Sequence, residues 1–328
     1  MGRGNKFRAL LACGTGACAA AVLLSLSLGS TFISLFDLWR PDAGLMRNIV
    51  LYARLPRTVG ALSSGAALAV AGAALQNVLA NKLASPSIIG VNAGAGLGIT
   101  LCCACGTISG FFFSASAFLG SLSAVFLISL FAKGTNASRT TVILGGVALN
   151  SILNAASESI SVLDPDVAAL SAEFRVGGFH AVSYTRLLPA VALIALSLLL
   201  LFTLFNELDV LSLGDDTAQG VGLPVKRYRV LFLVLCALLA GSAVSFSGML
   251  GFVGLIVPHG VRSVIGNESR HLLPLCAVFG GVFVLLCDLA ARLVFAPFEL
   301  PVGIITSIIG GPLFVVILVK SKGGRRFD

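Results

Sequence analysis

Asn150, Asn154, Ser157, Glu158 and Ser161 stand close together in a largely apolar stretch. On an α-helix, positions 150, 154, 157 and 161 fall on one stripe. Polar groups inside a bilayer are costly, so such a stripe either faces a water-filled pathway or hydrogen-bonds neighbouring helices. Glu158 adds an ionisable group near one end of the segment, where it can line the pathway or snorkel to the headgroups. The first reading is the chemistry of passage for a polar solute, and neither is the chemistry of bond making. A second set is cationic: Arg54 and Arg57 in Arg-Leu-Pro-Arg, and Arg292 four residues after Asp288. Spacing alone allows an i,i+4 ion pair and side chains snorkelling to the headgroups, or a set of surface cations that dock an acidic partner.

Other candidates are weaker. His259 has no second histidine at metal spacing and reads as a structural hydrogen-bonder next to Pro258, a residue that should break its helix. Cys102, Cys103 and Cys105 have no His or carboxylate near them in sequence and read as small apolar packing. No metal site and no cofactor is expected. There is no Gly-x-x-x-x-Gly-Lys-Ser/Thr phosphate loop and no His-Glu-x-x-His, so neither nucleotide hydrolysis nor zinc proteolysis is expected of this chain.

These residues need elements to hold them, and composition says which. The 328 residues are 57% hydrophobic and 11% charged, against about 25% charged in soluble domains. Long runs carry no charge, among them 9–36, 58–81, 83–132, 187–206, 230–257 and 300–319. A span takes about 20 apolar residues, so the pattern predicts an all-α polytopic membrane protein, one transmembrane unit over 1–328. About ten crossings are expected, near 9–33, 58–80, 89–108, 112–132, 141–162, 187–206, 228–247, 249–265, 272–293 and 302–320. The net charge of +8 is scattered through short loops rather than gathered into a face for nucleic acid. By the positive-inside rule, Arg3, Lys6 and Arg8 with Lys320, Lys322, Arg325 and Arg326 place both termini in the cytoplasm. The first apolar run exceeds a signal-peptide core, so an uncleaved span is expected there.

Two longer connections remain. Residues 207–224 form the longest cytoplasmic loop, where Ser212 or Asp215 could cap a short helix that Gly220 and Gly222 end before Pro224. Residues 163–186 alternate to the outside and include Gly177-Gly178-Phe179. Gly and Ala crowd residues 60–72, which predicts a tightly packed helix at the centre of the bundle.

Several motifs in order carry a family resemblance: Arg54-Leu55-Pro56-Arg57, Gly72 with Gln76, Leu83-Ala84-Ser85-Pro86 with Gly90, residues 144–149, Leu213-Gly214 to Gly220, Gly251-Phe252-Val253-Gly254 through Pro258-His259 to Arg262, and Glu299-Leu300-Pro301-Val302-Gly303. Together they resemble the permease subunits of ATP-driven importers of ferric siderophores, haem and vitamin B12. The resemblance implies the vitamin B12 importer-like permease fold, a second permease subunit, two cytoplasmic ATPase subunits and an extracytoplasmic substrate-binding protein. It assigns binding-protein docking to Arg54, Arg57 and Arg292, and pathway lining to the helix of Asn150. It assigns ATPase coupling to Leu213, Gly214, Asp215, Asp216, Ala218 and Gly220. A cytoplasmic gate falls to Asn81, Ala137 and Ser138. Relatives carry Asn-Pro-Leu-Ala where this chain reads Asn81-Lys82-Leu83-Ala84, so the turn there must be made without the proline. The cargo expected first is a ferric siderophore, with haem and cobalamin next. A transporter driven by an ion gradient is the alternative, and it would want paired ionisable groups near the bilayer midplane.

Overall fold

A computed structural model describes residues 3–29, 32–34, 36, 44–107, 110–134 and 138–323, and among these the regular structure is all helical. Seven helices are long and apolar enough to cross a membrane, and three shorter apolar ones accompany them, which gives the ten expected crossings. The long ones are α1 (Arg3–Ser27), α3 (Leu55–Val78) with its lead-in, α5 (Gly110–Gly134), α6 (Arg139–Leu163), α8 (Tyr184–Thr203), α11 (Val225–Ser247) and α13 (Ser269–Leu293). The shorter ones are α4 (Val91–Ala104), α12 (Val253–Ile265) and α14 (Val302–Gly323), the last apolar to Val316. Four small helices complete the set: α2 (Gly44–Asn48), α7 (Pro165–Val176), α9 (Phe205–Ser212) and α10 (Asp215–Gly220). We call the end of the bundle holding the start of α1, α9 and α10 the near end, and the opposite one the far end.

The Gly/Ala-rich α3 is the axle. Eighteen of its 24 residues are buried, and it packs on α11, α12 and α13. Lipid tails are as apolar as side chains, so helices in a bilayer gain by close approach rather than by hiding from water. Gly65 meets α13 so closely that an added methyl would overlap the Gly280 carbonyl, and one at Gly280 would overlap that of Gly65. About 10 Å further along the helix, Gly72 meets the Gly254 carbonyl of α12 in the same way.

Three expectations change. Arg54 and Arg57, which precede the crossing expected at 58–80, are themselves helical: α2, a π-helical turn over Ile49–Arg54 and α3 run on continuously. Pro56 falls in the first turn of α3, where its missing N–H is not needed. The external connection after α6 contains the helix α7, whose Asp164 side chain accepts from the N–H groups of Asp166 and Val167. Nor does Pro258 break α12. The carbonyl it leaves unpaired is that of Gly254, four residues back, and the Gln76 amide donates to that oxygen at 3.1 Å. A neighbouring side chain thus keeps the helix whole.

Replacing Gly65 or Gly280 with Leu should destabilise the purified protein by about 1–3 kcal/mol, read as a lower Tm in detergent. Gly260→Ala is the control, since nothing lies within 4 Å of a methyl there. Equal Tm values for all three variants would contradict the axle.

Candidate functional site

Two polar clusters and one loosely packed helix make up the candidate site. The far-end cluster is built around Asp288 of α13, which is fully buried. Arg57 Nε donates to its carboxylate at 2.9 and 3.2 Å, and Arg292 Nε lies 3.1 Å from Oδ2. The other side of Arg57 reaches Glu299 at 2.6 Å. Arg292 also donates to the Ser25 hydroxyl at 2.8 Å, and Arg54 donates to the carbonyls of Leu26 and Ser27, both at 2.8 Å. Those carbonyls end α1 and have no partner within their own helix. The expected surface set Arg54, Arg57 and Arg292 is therefore brought together, but inward: Arg54 and Arg292 are buried. Only the flank of Arg57 facing Glu299 reaches the surface, its side chain 12% exposed. The i,i+4 pair of Asp288 and Arg292 is present as spacing predicted.

The near-end cluster holds the 207–224 segment, which forms two short helices rather than one. Asp209 of α9 accepts from the Ser269 N–H at 3.0 and 3.1 Å and so caps α13. Ser212 and Asp215 do not act as the expected caps. The Ser212 hydroxyl turns back to the Asp209 carbonyl, and α10 follows Gly214 with no side-chain cap. The Asp215 carboxylate is occupied instead by Arg139 of α6 at 2.7 and 2.9 Å and by Arg229 of α11 at 2.5 Å. Gly214 takes a φ of 117°, open to glycine and strained for other residues, at the corner between α9 and α10. Leu213, Asp216 and Gly220 are exposed, while Ala218 is fully buried and seats α10 on the bundle. Of the coupling set, Ala218 thus cannot touch a partner, because its methyl is already packed. Burial alone would raise the Asp215 carboxyl, but the bonds and charges of the two arginines outweigh it and hold it below its ordinary value. At Asp209 burial wins over the Ser269 bonds and the carboxyl is raised.

Beside this loop Arg262 of α12 donates to Gln76, to the Ala73 carbonyl and to Asn77 at 2.8 Å, and Asn77 donates to Ser269 at 3.0 Å. Sequence reasoning missed this clasp, although Gln76 and Arg262 both sat in quoted motifs.

The polar stripe of α6 divides. Asn150 donates to the carbonyls of Ser87 and Ile88 at 2.8 and 3.1 Å. Ser157 pairs with Thr100 at 2.7 Å, and Arg175 donates to Ser157 and Ser161 at 3.1 and 3.3 Å. Asn154 and Glu158 are exposed on the outer side of the helix. Of the gate set, Asn81 makes the turn that the absent proline left open: its side chain accepts from the Leu83 N–H at 2.9 Å. Ser138 caps α6 through the Thr141 N–H, and Ala137 lies outside the described residues. The cysteine trio is split, with Cys103 buried, Cys105 exposed and Cys102 donating to the Thr107 carbonyl.

The sequence model of the FecCD transport family matches residues 17–320. The chain is 35% identical to an ABC transporter permease protein of Bacillus subtilis (strain 168), YvrB, over 98% of this chain and 97% of that one. It is 35% identical to the iron-uptake system permease protein FeuB of the same organism, over 94% and 95%. It is also 35% identical to the vitamin B12 import system permease protein BtuC of Citrobacter koseri, over 92% and 91%. Among solved structures, a metal-chelate type ABC transporter in an inward-facing conformation superposes with a TM-score of 0.87 at 29% identity, over 95% of this chain and 99% of that one.

Two outcomes follow from the clusters. Asp288→Ala removes the carboxylate shared by Arg57 and the buried Arg292 and should cost about 3–5 kcal/mol, seen as a large fall in Tm in detergent. For Asp215 the folded pKa lies below the unfolded one of about 3.9, so its stabilisation is complete above that value and is lost as pH falls through the folded pKa. Compared with Asp215→Asn, the Tm advantage of the wild type should stay flat from about pH 6 to 8 and shrink only near pH 4 and below. The Asp209 contribution is common to both proteins and cancels. An advantage that disappears by pH 6 would exclude the two-arginine arrangement.

Proposed function

The chain belongs to the FecCD transport family, a multi-pass permease of the cell membrane, and from that premise we propose that it is the pore subunit of an ATP-driven importer of a metal chelate. The observation that carries this reading is the near-end segment 207–224. It is the only pair of short helices between two spans among the described residues, and it is bonded by side chains to α6, α11 and α13. Such an element can pass movement from a bound motor to the bundle. The positive-inside rule puts this end in the cytoplasm, with Lys6, Arg8, Lys226, Arg227 and Arg270. Two ATPase subunits would dock there against exposed Leu213, Asp216 and Val221. ATP binding would then bias the bundle between two access states.

A second permease subunit, identical or closely related, would face the exposed side of α6, so that Asn154 and Glu158 line a shared pathway. Asn81 and Ser138 sit at its cytoplasmic mouth, with Ala137 beside them in sequence. An extracytoplasmic binding protein would deliver cargo at the far end. There Arg57 is the docking cation of the three. Arg54 and Arg292 hold the platform, and direct contact by either would need its guanidinium to leave the groups it now bonds. A ferric siderophore is the proposed cargo, ahead of haem and cobalamin. The ion-gradient alternative fares worse: Asp288, its best-buried carboxylate, is already neutralised by Arg57 and Arg292.

The test is purification of the tagged chain from its native membrane together with uptake of labelled ferric siderophore, haem and cobalamin by cells with and without it. An ATPase should copurify and one chelate should depend on the chain. Leu213→Asp with Val221→Asp should lose the ATPase while keeping the Tm of the permease. Unchanged uptake of all three chelates in cells lacking the chain would overturn the assignment of cargo. Absence of an ATPase from the purified wild type would overturn the motor.

A further inference from the structure

Arg139 is the first residue of α6, and it bonds on both sides of the Gly214 corner. Its Nη2 donates to the Leu211 carbonyl in α9 and to Asp215 Oδ1 in α10, both at 2.7 Å, and its Nε donates to the same carboxylate oxygen at 2.9 Å. The other oxygen of Asp215 is held by Arg229 of α11. One carboxylate therefore joins two spans through the loop. Those spans are held very differently. Only Val142, Gly146 and Ser157 are buried among the 25 residues of α6, whereas most of the 23 residues of α11 are buried, against α3, α5 and α8.

We infer that Arg139 is the positioning residue that delivers movement of the 207–224 segment to α6, with Asp215 and Arg229 anchoring the same joint to the rigid core. This rests on the importer reading and deepens it. If a partner draws α10 away about Gly214, Asp215 must pull on one helix or the other. Arg229 belongs to a helix packed along most of its length, so the displacement passes to α6. A guanidinium suits this task because its planar fork holds both the α9 and α10 partners in a fixed geometry, which the single nitrogen on a lysine's flexible stem does not impose. Movement of α6 would carry Asn150 away from the carbonyls of Ser87 and Ile88, in the turns at 85–90 that lead into α4. The side chain of Asp215 is 34% exposed, so a docking partner can reach the joint.

The experiment measures distance between spin labels at Leu144→Cys on α6 and Leu231→Cys on α11, both exposed, in full-length protein in nanodiscs with its eight native cysteines replaced. Arg139→Gln and Asp215→Asn should each shift or broaden the distribution by about 2 Å or more, the scale of helix shifts in switching proteins. The double variant should move it no further than either single one, because residues in one network are not additive. Arg139→Lys, which keeps the charge, should fall between wild type and Arg139→Gln. In the copurified complex, Arg139→Gln should lower uptake per ATP hydrolysed about fivefold or more while ATPase still binds. An unchanged distribution in Arg139→Gln would overturn the inference, as would a double shift equal to the sum of the singles. The distances need no partner, so a wild type without an ATPase would sink the importer reading and leave this joint to be judged by its labels.

Discussion

The bundle depends on backbone meeting backbone at two places along α3. Gly65 against Gly280 and Gly72 against Gly254 bring three helices closer than any side chain would permit. In a bilayer this proximity is the source of cohesion, since dispersion between atoms in contact replaces the drive to escape water. The same proximity has a cost at Pro258, where a carbonyl of α12 loses its helical partner. Gln76 can reach that carbonyl only because Gly72, one turn earlier on α3, lets α12 come so near. Close packing and polar satisfaction are here one arrangement.

Charge is then used at the two ends of the axle in opposite ways. At the far end Asp288 draws Arg57 and Arg292 inward, and Arg292 and Arg54 take up the carbonyls that α1 leaves unpaired. Three helix ends are fixed to one another, and removing one member strands the rest. At the near end the carboxylate is partly exposed and its partners sit on helices of unequal burial. A buried cluster resists motion. An exposed one that bridges a tightly packed and a loosely packed helix can transmit it. The difference in burial, more than in bond number, separates an anchor from a joint.

The crossings were legible because charge-free runs and basic loops are set by the bilayer itself, and all ten appear near their expected positions. What could not be read was where polar side chains point. Arg54 and Arg57 read as surface cations because the groups that draw them inward, the α1 carbonyls and Asp288, lie 27 or more residues away. Asp215 looked like a helix cap because Asp at a loop-to-helix junction usually is one. Its partners, Arg139 and Arg229, are 76 and 14 residues away, beyond the reach of local rules. The helix α7 was hidden since it is neither apolar enough for a span nor marked by more than Asp164-Pro165 at its start. The turn at Asn81 was doubted for want of a proline, and an asparagine side chain bonding two residues on does the same work.

The stripe on α6 serves two purposes. Spacing offered two explanations, a wet pathway or bonds between helices, and the residues divide between them. Asn150, Ser157 and Ser161 spend their polarity on the turn at 87–88, on α4 and on α7. Asn154 and Glu158 share their face with Val147, 50% exposed, and Val162, 81% exposed. An amide and a carboxylate on such a face would be costly against acyl chains. The proposed second permease subunit across from α6 would resolve the conflict, covering the apolar positions while leaving the polar ones a narrow aqueous path. The same helix would then be both wall and moving part, and its light packing within one chain is what lets it serve as both.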